Sequence, residues 1–436
     1  MNTARQRLLR AGLASSERRR VLASMFGSAV LLAACGGPRA FRQEERDTEF
    51  SRFVERGYPA TASASTDPHR DTWRHGDEDI VIDMLLPRGA APAPLVIYLP
   101  GLGEPAEAGE TWRKAWAQSG YVVASLQTTG GASLWSTPAA RHGDFTNIAR
   151  EQFASKSLAT RIERVQFVLQ GMARRAQGGD NVYGRIDTGR IAVAGFDLGA
   201  QTALALAGEK HPGIAGVPGV PGLRAVIALS PQANLARGGF AELFGDIGTP
   251  TLTITGTEDS DPYGLVDSPH ARQAPFTYMP PGDKYLLVME DGTHQLMAGA
   301  RRPVAAGADA NSPPGHPPMD GGRREPPGGM GRGGPGDMGG PGGVGVPGGG
   351  MGRSGGGRGG PGDMGGPGGM GMPGGPPDDA AFRRSSSKGL QRQIVIVERV
   401  SVAFLDAVVK DDPVAREWLA RDAVRWSDPL ARLKMK

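Results

Sequence analysis

The chain has 436 residues, 68 of them Gly and only one Cys, with a formal net charge of +4. Residues 1–34 hold six Arg against Glu17, a net +5, so the rest of the chain stands at −1 and offers no basic surface to neutralise nucleic-acid phosphates. Thirty of the Gly fall within residues 321–375 without a Gly-X-Y period, which excludes collagen, and a single Cys permits no intramolecular disulfide.

The first segment in chain order is an address. Arg5, Arg7, Arg10, Arg18, Arg19 and Arg20 precede fourteen uncharged residues, 21–34. As a helix these span about 21 Å, short of a hydrocarbon core of about 30 Å, which fits a signal peptide over residues 1–34 and not a membrane span. Leu32-Ala33-Ala34-Cys35 resembles the bacterial lipobox, and Ser16-Glu17-Arg18-Arg19-Arg20-Val21-Leu22 resembles a loose twin-arginine export signal. The lipobox resemblance implies an exported protein, lipid-anchored in the bacterial cell envelope through Cys35. Residues 35–61 are polar and charged without clear period, as expected of a tether.

From about residue 79 short apolar runs alternate with amphipathic stretches. Strands are expected at 80–86, 95–99, 121–126, 191–194, 225–229, 251–255 and 285–289, being apolar and bounded by Gly, Pro or Asp. Helices are expected at 110–118, 158–173, 199–209 and 391–409. This alternation predicts an α/β core over residues 62–300, a mostly parallel sheet with helices on both faces, completed by a C-terminal helix within 387–436. Between them, residues 301–386 are rich in Gly, Pro and Met, and residues 332–349 recur at 358–375 with only Val344 and Val346 changed to Met370 and Met372. So little apolar surface cannot offset an ordering cost of about 1–2 kcal/mol per residue, and disorder is expected there. The scattered Met, with no His or Cys among those from Met330 to Met372, do not make a copper site.

The most informative run is an apolar strand, Gly195-Phe196-Asp197-Leu198-Gly199, and a helix-forming stretch. A tight strand-to-helix turn leaves no room for a Cβ on either flank of its central residue, hence Gly195 and Gly199. The run resembles the nucleophile elbow of the α/β-hydrolase superfamily, with Asp where Ser is usual. Gly352-Arg353-Ser354-Gly355-Gly356 matches the Ser form literally but sits in the Gly-rich repeat, without strand or helix. The other parts follow in the superfamily's order. Pro100-Gly101-Leu102-Gly103 ends a strand where the oxyanion turn belongs, Thr257-Glu258-Asp259 ends another where the acid belongs, and His294 lies five residues beyond the last strand. The resemblance implies Asp197 as nucleophile, His294 as base, Asp259 as its acid with Asp261 as fallback, and the N–H groups of Leu102 and Leu198 as oxyanion donors. Blander readings stand beside these: Asp197 as a helix N-cap, Asp259 as a solvated turn residue, His294 as a surface His, and Ser230 as a rival nucleophile that lacks flanking Gly.

Residues 95–103, 161–169, 280–288 and 415–419 resemble more closely the branch containing dienelactone hydrolases and platelet-activating-factor acetylhydrolase-like proteins. About 20 residues separate the strands ending at Leu229 and starting at Thr251, which leaves no room for the large cap of haloalkane dehalogenases and epoxide hydrolases. Asp as nucleophile is nonetheless the hallmark of those capped enzymes. The expectation is therefore an exported, lipid-anchored hydrolase for an ester-like or other small electrophilic substrate, carboxylic-ester cleavage being favoured over epoxide or halide hydrolysis. It needs no metal or organic cofactor, no nucleic acid and no obligate protein partner. The alternative is a non-catalytic envelope protein that keeps the fold as a binding or scaffolding module.

Overall fold

The computed structural model describes residues 38–59, 64–89, 91–233, 239–299 and 379–436. The expected signal peptide, Cys35 and nearly all of the Gly-rich insert lie outside them. By their contacts the described residues from 38 to 299 and from 384 to 436 form one compact unit, and 379–383, the start of a helix, are assigned to a second.

Among the described residues nine strands form one sheet in the order β1-β2-β4-β3-β5-β6-β7-β8-β9. They are β1 (Thr66–His75), β2 (Glu78–Pro87), β3 (Ala93–Leu99), β4 (Val122–Gln127), β5 (Ile186–Phe196), β6 (Leu223–Leu229), β7 (Thr251–Glu258), β8 (Lys284–Thr293) and β9 (Ala431–Met435). The six from β4 to β8 run parallel, while β1 and β2 close one side and β9 the other as antiparallel neighbours. A parallel sheet needs cover on both faces, and period-two alternation along the buried strands supplies it. Leu95, Ile97 and Leu99 of β3 join a core under α5 (Ser155–Gln177) and α6 (Leu198–Ala207). Val96 and Tyr98 join the opposite core, under α2 (Glu110–Gln118), α10 (Asp379–Val409) and α11 (Pro413–Arg421).

Three differences from the sequence reading have physical causes. The span expected as a tether carries helix α1 (Pro38–Glu55), and its last residues dock on the domain. The ring of Phe53 stacks on Trp426 with centroids 4.8 Å apart, and the buried Tyr58 hydroxyl donates to Asp406 at 3.0 Å. Helix α10 starts at Asp379, so its first residues occupy the end of the span expected to be disordered. Strands β1 and β9 were not foreseen because both lie at edges and bury only one face: Trp73 is the sole fully buried side chain of β1.

Between β6 and β7 the described residues contain only one short helix, α7 (Phe240–Phe244), with 234–238 outside the description. The chain also forms short helices α3 (Pro138–Arg141) and α4 (Phe145–Gln152) after β4, α8 (Ala274–Tyr278) before β8, α9 (His294–Met297) after it, and α12 (Ala423–Ser427) before β9. Among the described residues no helix is long and apolar enough to cross a membrane.

Candidate active site

The parallel strands all end at one edge of the sheet, where ligands bind in open α/β folds. The turns after β3, β5, β6, β7 and β8 there present residues 101–104, Asp197, Ser230, Asp259 and His294.

Asp197 stands alone between β5 and α6 with φ 50° and ψ −107°, a conformation that L-residues rarely adopt. Close packing enforces it. A Cβ on Gly195 would overlap the Gly199 carbonyl, and one on Gly199 would overlap the Leu99 carbonyl oxygen. At a helix N-terminus an Asp would ordinarily accept a capping bond, but this side chain makes none. Asp197 is 1 % exposed, and neither carboxylate oxygen has a hydrogen-bond partner. Burial raises its pKa above the usual carboxylate range. The charges of His294 and Arg272 work against that rise, and so does the Leu102 N–H, which approaches the carboxylate without reaching full hydrogen-bond geometry.

Asp259 is as deeply buried and fully engaged. Its Oδ1 is 2.8 Å from Nδ1 of His294, and its Oδ2 accepts from the hydroxyls of Ser230 and Thr255, both at 2.7 Å. The guanidinium of Arg272, with no solvent exposure, donates to the Asp259 backbone carbonyl at 2.9 Å and lies 3.3 Å from Oδ1. Burial disfavours the charged form of Asp259, but Arg272, His294 and Ser230 together hold its pKa below the usual value. Ser230, the rival nucleophile on paper, thus supports the acid. Asp261, the fallback acid, instead organises its own loop by accepting from the N–H groups of Tyr263, Leu265 and Val266.

With Nδ1–H donated to Asp259, the imidazole of His294 keeps Nε2 as its basic nitrogen, and that atom is buried without a partner. The ring packs against Phe196, the residue before Asp197, with centroids 4.8 Å apart. Leu102 and Leu198, the expected oxyanion residues, pack together with Trp135, Ile148, Phe153 and Tyr263 in a small apolar cluster. Gly103 has φ +71°, and a Cβ there would run into the Trp135 ring. In the stretch after β4, Trp135 is therefore packed with these residues, whereas Arg141 and His142 are exposed.

Four residues escaped the sequence reading. Arg272 sits in a stretch without pattern, Trp135 lies in a short 3-10 helix and Tyr263 in a loop, and Glu104 directly follows the turn expected to supply an oxyanion donor. The Glu104 carboxylate accepts the Gly101 N–H at 2.8 Å, and the residue is 7 % exposed. Burial pushes its pKa up to about 7; the Gly101 bond and His294 oppose the rise, and the charge of Asp197 adds to it. A carboxyl two residues after Leu102 was the available signal. No group of three or more His, Cys, Asp or Glu suited to a metal ion occurs among the described residues. Compared with known proteins, the chain matches no family model and none of the curated sequences.

Proposed function

We propose that this protein is an α/β-hydrolase-fold enzyme, similar to the dienelactone hydrolase and platelet-activating-factor acetylhydrolase-like branch, that cleaves an ester-like or other small electrophilic substrate through Asp197. One observation carries the reading: a strained and buried carboxylate without a hydrogen-bond partner sits at a strand-to-helix turn, within the electrostatic influence of a His whose orientation is fixed by a fully bonded Asp. An unsatisfied buried charge costs stability, and such costs are retained where the group acts on something that arrives later.

In this reading Asp197 attacks the electrophilic carbon directly, since an ionised carboxylate needs no activation by base. The developing oxyanion is received by the N–H groups of Leu102 and Leu198. His294, held by Asp259, then takes a proton from the water that hydrolyses the covalent intermediate. The buried cluster of Leu102, Trp135, Leu198 and Tyr263 keeps bulk water from the reacting groups in this reading. The arginine-rich leader and the lipobox-like Leu32-Ala33-Ala34-Cys35 place this chemistry, as part of the proposal, on an exported protein anchored at the membrane through Cys35.

Turnover of para-nitrophenyl acetate in heavy-oxygen water is expected to leave label in the Asp197 carboxylate, and Asp197→Ala to abolish turnover. Activity that survives Asp197→Ala removes the assignment.

A further inference from the structure

In a triad built on Ser, the His collects the proton of the nucleophile and hands it to the leaving group. Asp197 brings no proton to collect, so His294, whose Nδ1–H is committed to Asp259, has none to pass on in the first step. An alcohol leaving group still requires one. A second donor has to stand at the same turn, and one carboxyl does.

We propose, resting on the reading above, that Glu104 is the proton donor of this site and protonates the leaving group as Asp197 attacks. The geometry follows from two successive backbone N–H groups of one turn. That of Gly101 holds Glu104 at 2.8 Å, and that of Leu102 approaches Asp197, so successive residues of one turn address the two carboxyls and the charge of Asp197 is felt at Glu104. A Cβ on Gly101 would meet both the Phe196 ring and Oε2 of Glu104, so this Gly makes room for the carboxyl. Burial and the charge of Asp197 push the Glu104 pKa up to about 7, so Glu104 still holds a proton in a substantial fraction of molecules near neutrality. The other titratable groups facing Glu104 are His294, Tyr98 and Tyr263. Both Tyr hydroxyls are buried without a partner, and burial raises their pKa well above the ordinary value, which makes them weaker acids than Glu104.

The step balances. The Asp197 carboxylate bonds to the acyl carbon, the C–O bond to the leaving group breaks, and the departing oxygen takes the Glu104 proton, giving a neutral alcohol, a mixed anhydride and the Glu104 carboxylate. Water then adds its oxygen to Cγ of Asp197 in the anhydride and gives one proton to His294, from which Glu104 recovers its own. The product leaves as carboxylate, and Asp197, regenerated with one oxygen from water, releases the second proton to solvent.

The full chain and its Glu104→Gln variant are compared on two acetates: para-nitrophenyl acetate, whose leaving group departs as a stable anion, and ethyl acetate, whose leaving group does not. Glu104→Gln keeps an acceptor for the Gly101 N–H but has no acidic proton. It is expected to slow the ethyl ester by roughly 10²-fold or more and the aryl ester far less. Wild-type kcat for the ethyl ester should fall as pH rises through about 7, a limb that the aryl ester lacks. This profile needs no variant and stands even if Glu104→Gln folds poorly. Equal slowing of both esters, an ethyl-ester profile flat across that range, or the leaving-group split appearing in Tyr263→Phe instead overturns the role of Glu104 while leaving Asp197 as nucleophile. A wild-type protein that hydrolyses neither ester removes the ester-cleaving reading and, with it, this role.

Discussion

The turn after β7 and the turn after β5 each bury an Asp almost completely, and they treat it in opposite ways. Asp259 receives two hydroxyls, an imidazole N–H and a neighbouring guanidinium, and its pKa is held low. Asp197 receives no complete hydrogen bond, carries a strained backbone, and its pKa is raised. A fold that can satisfy one buried carboxylate this thoroughly does not leave another bare for want of donors. The contrast separates a carboxylate held fixed and charged from one left without a hydrogen-bond partner, and under the proposed function the second is the one free to react.

The sharpest way to break this contrast is to remove each charge. Asp197→Asn is expected to abolish hydrolysis while raising stability by about 1–2 kcal/mol in a denaturant titration, because Asn tolerates positive φ and no charge is left stranded. Asp259→Asn should lower kcat by roughly 10³- to 10⁴-fold through a misheld imidazole, and should also cost on the order of 3 kcal/mol because Arg272 loses its counter-charge in a dry site. Opposite signs for the two stability changes are the signature. A loss of stability in both variants would mean that Asp197 is merely another structural carboxylate.

The pH dependence of stability sharpens the contrast further. Asp259, with its pKa depressed, contributes stability above the ordinary carboxylate value that is lost as pH falls through its lower folded value. Asp197 and Glu104 have the opposite sign: their contribution is complete at low pH and is lost as pH rises through their raised folded values. For Glu104 that window runs from 4.5 to about 7. Thermal melts of the wild-type chain should therefore show stability falling across this window by an amount on the order of 3 kcal/mol for Glu104. Glu104→Gln should flatten that slope, and an unchanged slope in the variant would place the titration elsewhere.

Much of this site was legible because its parts sit where strands end. Gly195 and Gly199 announce a turn that excludes side chains, and Asp197, Asp259 and His294 each follow an apolar run, so local pattern located them. Glu104 and Arg272 were not legible, because their roles depend on contacts that spacing does not encode: Glu104 folds back on the N–H of Gly101, and Arg272 reaches the Ser230 carbonyl across 42 positions. The fold divides in the same way. The central strands declare themselves by being apolar on both faces. β1, which reads Thr-Asp-Pro-His-Arg-Asp-Thr-Trp-Arg-His, is stabilised by ladder bonds to β2 and by surface ion pairs such as Arg74 with Asp79, features that look like loop in a linear reading. Helix α1 has weak apolar periodicity of its own, and Phe53 within it and Tyr58 just beyond it dock against Trp426 and Asp406, nearly 350 residues or more away.

The smallest expected effect tests which hydroxyl and which carboxylate do the chemistry. Ser230 has φ 47°, is fully buried, and spends its proton on Asp259 at 2.7 Å. As a supporting donor its loss in Ser230→Ala should cost about 1.5 kcal/mol of stability and reduce kcat by less than tenfold, since Thr255 and Arg272 still hold Asp259 charged. As a nucleophile its loss would abolish turnover altogether. The two outcomes differ by orders of magnitude, and measuring Ser230→Ala beside Asp197→Asn on one substrate separates them. Near-normal turnover in the first and none in the second assigns the reaction to the bare carboxylate, whereas the reverse pattern would move it to the hydroxyl and reduce Asp197 to a strained remnant of the turn.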